Sequence, residues 1–85
     1  MNDAPRSATL ADLPRLLVGK VVGVDGDGPT ASRLVELGFS PGTEVRFERS
    51  APFGGPMVIS LRGYQLCLRP TEARRIRIRA LGDRE

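Results

Sequence analysis

Leu34-Val35-Glu36-Leu37-Gly38-Phe39-Ser40-Pro41-Gly42-Thr43-Glu44-Val45 writes a helix end, a tight turn and a strand start in one unbroken run. Ala31, Leu34 and Val35 stand at i, i+3, i+4 spacing and predict one apolar helical face, with Ser32, Arg33 and Glu36 turned away. Gly38 ends that helix, because the residue just past a helix end needs the left-handed backbone that Gly adopts without a Cβ penalty. Phe39, next in the chain, is placed to fold back onto Leu34. Pro41 presets φ at the first central position of a turn and Gly42 supplies the positive φ of the second, so Ser40 to Thr43 reads as a type II turn. Strand alternation starts directly afterwards.

Downstream, Thr43 to Ser50 places Val45 and Phe47 on one face and Glu44, Arg46 and Glu48 on the other, the pattern of a half-buried strand. Ala51-Pro52-Phe53-Gly54-Gly55-Pro56 interrupts it, and two prolines that cannot donate to a ladder make this segment an exposed loop. Met57, Ile59 and Leu61 share a face, Arg62-Gly63 turns the chain, and Tyr64, Leu66 and Leu68 repeat the alternation on the way back, which predicts a hairpin. Pro70 to Arg74 reads as a single turn before a last strand, Ile76 to Ala80. Upstream, Thr9 with Asp12 three positions later predicts one helical turn that packs Leu10 and Leu13 inward, and the run Lys20 to Asp25, rich in β-branched valine, predicts the first strand. Pro29 opens the helix where its missing N–H does no harm. The expected fold is mainly β: a small SH3-like barrel of five short antiparallel strands, a bent sheet closed on itself, with one α-helix between the first two strands. We expect residues 1–8 to form a flexible tail, 9–81 the barrel and 82–85 a frayed end.

Eighty-five residues make one domain, which buries about 60–65% of the surface of its unfolded chain and has no room for a large enclosed active site. Apolar residues at 40% and charged residues at 27% are ordinary for a globular domain. Met1 to Ala8 lacks a basic start and an apolar run, and no stretch approaches the roughly 20 apolar residues of a membrane span, so we expect a cytoplasmic protein without membrane insertion. Cys67 is the single cysteine and histidine is absent, which removes an internal disulfide and the commonest ligand of first-row metals. The +3 charge arises from thirteen basic against ten acidic residues, a small excess in which Lys20 is the one lysine.

These residue types exclude most chemistry. Asp25, Asp27 and Glu36 match three ligand positions of a calcium loop, but Pro29 and Thr30 fall where a ligand and the turn-making Gly are required. Cys67 or Ser60 near Lys20 has no spacing that suggests an activated nucleophile, so Cys67 reads as a packing residue. Gly19-Lys20 lacks the rest of a phosphate loop, and Gly26-Asp27-Gly28 runs into Pro29, where a dinucleotide fingerprint needs free amides. We expect no catalytic residue, no cofactor and no metal.

Two surfaces stand out. Arg75, Arg77 and Arg79 alternate with Ile76 and Ile78 and should share the outer face of the last strand, with Arg74 at its start. Such a face can hold RNA, but of the four aromatics Phe39, Phe47 and Tyr64 look internal, leaving no stacking platform. An arginine edge paired with Glu44 and Glu48 is the simpler account, and no nucleic acid ligand is expected. Phe53 differs: in its Pro- and Gly-bounded loop it either anchors a protein partner or caps the barrel mouth.

In this order the signals resemble the FeoA family of small accessory proteins of bacterial ferrous-iron uptake. The likeness rests on Leu10 to Leu13, Gly19 to Val24, Leu34-x-x-Leu37-Gly38-Phe39-x-Pro41-Gly42, the loop Ala51 to Pro56, Leu66-x-Leu68-Arg69 and Ala73-x-x-Ile76. The chain departs from the family pattern at Gly55, where relatives often carry an acid, and in a longer first linker, Arg15 to Val18. The resemblance implies docking on the GTP-binding part of FeoB, the membrane iron transporter, rather than chemistry. The resemblance does not fix the contact residues; we expect them in the loop Pro52, Phe53, Gly54, Gly55 and Pro56, with neighbouring Met57 and the helix exit at Phe39, since rigid Pro- and Gly-framed loops present apolar side chains at little entropic cost. Two rivals are a nucleic-acid-binding SH3-like or Sm-like module using Arg74, Arg75, Arg77 and Arg79, and a metal-responsive regulatory domain.

Overall fold

The computed structural model describes residues 8–82. Its elements run in the order Leu10–Asp12 (a 3-10 turn), β1 Val18–Val24, α1 Pro29–Glu36, β2 Glu44–Ser50, β3 Met57–Leu61, β4 Tyr64–Leu68, α2 Pro70–Ala73 and β5 Ile76–Gly82. The five strands form one antiparallel sheet in the order β4-β3-β2-β1-β5, with α1 inserted between the first two strands of the chain.

The helix–turn–strand corner forms as its residues dictate. The Phe39 N–H donates to the Leu34 carbonyl at 3.1 Å and the Gly38 N–H to the Val35 carbonyl at 3.0 Å, the paired bonds of a Schellman C-cap, with Gly38 at φ +123°. Phe39 and Leu34 are both fully buried members of one core cluster. The Thr43 N–H then closes the turn on the Ser40 carbonyl at 3.1 Å, with Gly42 at φ +92°. Val35, expected on the apolar face, is instead 46% exposed. In a helix this short the buried stripe runs through Ala31 and Leu34 toward half-buried Leu37, and Val35 lies beyond its edge.

Strand alternation fills the rest of the core. Val21, Val45, Ile59, Leu61, Leu68, Ile76 and Ile78 are buried together with Leu10 and Leu13 of the first turn. That turn is held by the Asp12 carboxylate, which accepts from the Thr9 N–H at 3.0 Å and the Thr9 hydroxyl at 3.1 Å. Burying a side chain of this size stabilises by about 1.5–3 kcal/mol, so the cluster dominates the fold's stability. Gly19 lies inside β1, which starts earlier than expected: a Cβ there would stand 2.9 Å from Ile78 Cδ1.

Three expectations need correction. The ladder does not close: β4 and β5 are the sheet's two edges, and among the described residues no strand pairing joins them. Tyr64 is 44% exposed rather than internal, at the turn end of β4, which among the described residues has no strand on its far side; its hydroxyl donates to the Leu37 carbonyl. Gly82, expected to fray, pairs with Val18 in β5. Residues 1–7 of the expected tail and 83–85 of the expected frayed end lie outside the described residues. The longer first linker is tied down, with the Leu16 N–H donating to the Phe47 carbonyl at 2.6 Å and Arg15 Nε to the Glu48 carbonyl at 3.0 Å. Both bonds meet β2 at the bulge between Phe47 and Arg49.

Candidate functional site

The loop between β2 and β3 is a turn on a closed base. The Ala51 N–H donates to the Pro56 carbonyl at 2.9 Å, and at the tip the Gly55 N–H donates to the Pro52 carbonyl at 3.3 Å. Phe53 at φ +62° and Gly54 at φ +73° occupy the two central positions, the signature of a type I′ turn. Gly54 takes that conformation freely. Phe53 carries a Cβ, and the left-handed region costs such a residue on the order of 1–2 kcal/mol. Among the described residues nothing packs on Phe53 to offset that cost, since it is 103% exposed. Gly55 is constrained by space: a Cβ there would come within 2.7 Å of the Ala51 Cβ, so an acidic side chain does not fit this loop as it stands.

Of the residues expected at a partner contact, five sit together in this loop and two do not. Phe39 is 0% and Met57 6% exposed. Phe39 belongs to the helix cap, and Met57 faces inward opposite Leu68, so both serve the core. Phe53 points to solvent with Pro52, Gly54 and Pro56 exposed around it, and it does not cap the barrel. A second strained apolar residue escaped the sequence reading: Leu16, at φ +70° and 45% exposed. Its backbone has a visible cause in the bond to Phe47, whereas among the described residues only the turn holds Phe53.

The arginines of the last strand are less of a patch than their alternation suggests. Arg77 lies across Gly23 and its Nε stands 2.6 Å from Asp25 Oδ1, so its charge is engaged. Arg79 is exposed and registers with Lys20, which in turn registers with Glu44. Arg75 lies over Gly26, and Arg74 is exposed at the end of α2. The expected pairing with Glu44 and Glu48 does not occur, because β1 separates β5 from β2. Glu48 instead accepts from the Ser60 hydroxyl at 2.6 Å and lies 3.7 Å from Arg46 Nε.

Beside the loop, Pro56, Cys67, Leu68, Arg69, Arg33 and Glu72 line an open groove of about 460 Å³. The Glu72 carboxylate accepts from the Arg69 N–H at 2.9 Å and pairs with the Arg33 guanidinium. The Arg69 N–H, with Arg33, holds this carboxyl below the usual carboxylate range despite partial desolvation. Among the described residues no three His, Cys, Asp or Glu side chains gather as a metal site, and no helix is long and apolar enough to cross a membrane.

A five-stranded sheet around one aliphatic core, with open surface grooves and a projecting Pro- and Gly-framed loop, defines a small SH3-like module. Residues 8–80 match the FeoA domain model, and the chain belongs to the FeoA family, which is associated with ferrous iron transport. The zinc-complexed FeoA of Stenotrophomonas maltophilia, a procaryotic SH3 domain protein, is 34% identical, with a TM-score of 0.75 over 85% of this chain and 89% of that one. The FeoA-like protein of Clostridium acetobutylicum is 29% identical, with a TM-score of 0.85 over 96% and 95% of the two chains. A manganese-dependent transcriptional repressor, 18% identical with a TM-score of 0.80, shares the fold over 93% of this chain and 39% of its own. No curated protein matches the chain.

Proposed function

We propose that this protein is a non-enzymatic, cytoplasmic accessory factor of ferrous iron uptake that binds the GTP-binding part of a FeoB-type membrane transporter through the loop Pro52 to Pro56. One observation carries this reading: Phe53 is held in a left-handed backbone with its whole side chain in water. Backbone strain at an exposed apolar residue is retained where the side chain has work outside the fold, and aromatic anchors dominate protein interfaces. The closed base of the loop and Gly55 packed against Ala51 limit the ordering cost of binding. Family membership supports the process, and the exposure of Phe53 in its rigid loop supports this means of contact.

The test is co-purification with the transporter's cytoplasmic GTP-binding domain, nucleotide-loaded and empty. Wild type should be retained in at least one state, and Phe53→Ala should lose about tenfold or more in affinity, as truncated interface anchors do. A complex that Phe53→Ala leaves unchanged would remove the loop from the contact. A complex that instead weakens steeply as salt rises would favour a charged surface over an apolar anchor.

A further inference from the structure

We propose that the outer edge of β4 is a strand-addition site for an extended, acid-flanked segment of a protein partner; this rests on the partner-docking reading above and deepens it. The sheet's two edges are treated differently. Along β5 the N-terminal segment runs alongside, with Thr9 bridged to Arg77 and the Ile78 N–H donating to the Ala8 carbonyl at 2.9 Å, and Arg77 and Arg79 add charge. Along β4, among the described residues, nothing pairs on the side away from β3.

The register identifies the groups left open. Arg62 at φ +51° and Gly63 at φ +87° form a two-residue hairpin turn, so Leu61 and Tyr64 are a hydrogen-bonded pair, as are Ile59 with Leu66 and Met57 with Leu68. Gln65 and Cys67 therefore aim their N–H and C=O groups away from β3. Among the described residues neither has a backbone partner outside the ladder, and both are exposed. Natural edges are blunted by charge, proline or a bulge, and Tyr-Gln-Leu-Cys-Leu has none of these. An added strand would bond to Gln65 and Cys67 and run toward the groove between Pro56 and Arg33, which brings it to the foot of the Phe53 loop.

Charge selects the occupant. Exposed Arg62 precedes the edge and exposed Arg69 follows it; among the described residues neither forms a salt bridge, and Arg69, whose charge also acts on nearby Glu72, keeps its guanidinium open to a second acid. A second copy of this chain, in the antiparallel register that pairs Gln65 with Cys67, would bring Arg62 of each copy beside Arg69 of the other and repel at both ends. A segment with an uncharged, alternating centre and acids at its two ends meets both arginines favourably.

Amide exchange of the full chain tests this with the peptide Glu-Glu-Thr-Val-Thr-Val-Thr-Glu-Glu and its Lys-flanked counterpart. The acidic peptide should slow exchange at Gln65 and Cys67 by about tenfold or more and leave the rest of the sheet unchanged, while the Lys-flanked peptide should not. Cys67→Pro removes an outward N–H without touching the β3 ladder and should weaken the acidic peptide about tenfold. R62Q combined with R69Q should weaken it about fivefold in low salt and by less in high salt, a readout that stands if the proline variant does not fold. Protection by neither peptide, or by both alike, overturns the proposal, as does protection that grows with protein concentration alone, which assigns the edge to a second copy. A transporter complex lost in Phe53→Ala but leaving Gln65 and Cys67 unprotected overturns the edge site and spares the docking loop. Protection by the acidic peptide with no transporter binding does the reverse.

Discussion

Two turns of this chain each carry a phenylalanine, and they use it in opposite ways. At the corner from Leu34 to Thr43 the positive-φ positions are Gly38 and Gly42, and Phe39 is fully buried against the helix it terminates. At the loop from Ala51 to Pro56 a positive-φ position is occupied by Phe53 itself, and the ring is wholly in solvent. The first turn assigns glycine to the strained conformation and the aromatic to the core, so local preference and tertiary packing agree. The second sets them against each other. Phe53 costs the fold backbone energy and, among the described residues, returns no packing, and the proposed docking role rests on that conflict.

Breaking the first turn should have the largest effect. Phe39→Ala leaves a cavity in a core with no exposed fallback and should lower stability by about 3–5 kcal/mol, enough to unfold the chain or to reduce Tm by tens of degrees in a thermal melt. Gly38→Ala is milder. It places a Cβ at φ +123°, 3.0 Å from Leu61 Cδ1, and should lower stability by about 1–2 kcal/mol, read as a shift in urea midpoint with unchanged m-value. The smallest effect should come from the ion pair beneath the second turn. The Glu72 carboxyl is held below its ordinary range, so the native state favours the ionised form. Its contribution is therefore present above the unfolded-state pKa near 4.5 and fades as pH falls through the lower native value. Glu72→Gln should therefore be less stable than wild type at neutral pH, with the difference shrinking in acid unfolding curves below that range.

The corner was legible in the sequence because each of its signals is local: Gly38, Phe39, Pro41 and Gly42 act within one turn of themselves. The alternating strands were legible for the same reason. What escaped depended on sheet order. Arg77 pairs with Asp25 and not with Glu44 or Glu48 because β1 lies between β5 and β2, and Tyr64 is exposed at the turn end of β4, which among the described residues has no strand on its far side. The five strands form the expected small SH3-like sheet, but among the described residues its outer strands β4 and β5 do not pair to close it, a distinction that periodicity within single strands does not carry. In the candidate site, the Pro and Gly residues predicted an exposed loop from Ala51 to Pro56, but they did not indicate that Phe53 rather than a glycine takes the first left-handed position. Phe39, expected at the contact as the helix exit, and Met57, expected as the loop's neighbour, are both claimed by the core.

The central claim is that Phe53 lowers stability and confers binding, and Phe53→Gly tests both halves on one sample. Measured beside wild type, the variant should gain about 0.5–1 kcal/mol, a rise of a few degrees in Tm, because relief of the left-handed strain outweighs the greater freedom glycine gives the unfolded chain, while its affinity for the transporter's GTP-binding domain falls about tenfold or more. A variant that loses stability, or that binds as tightly as wild type, would contradict the account.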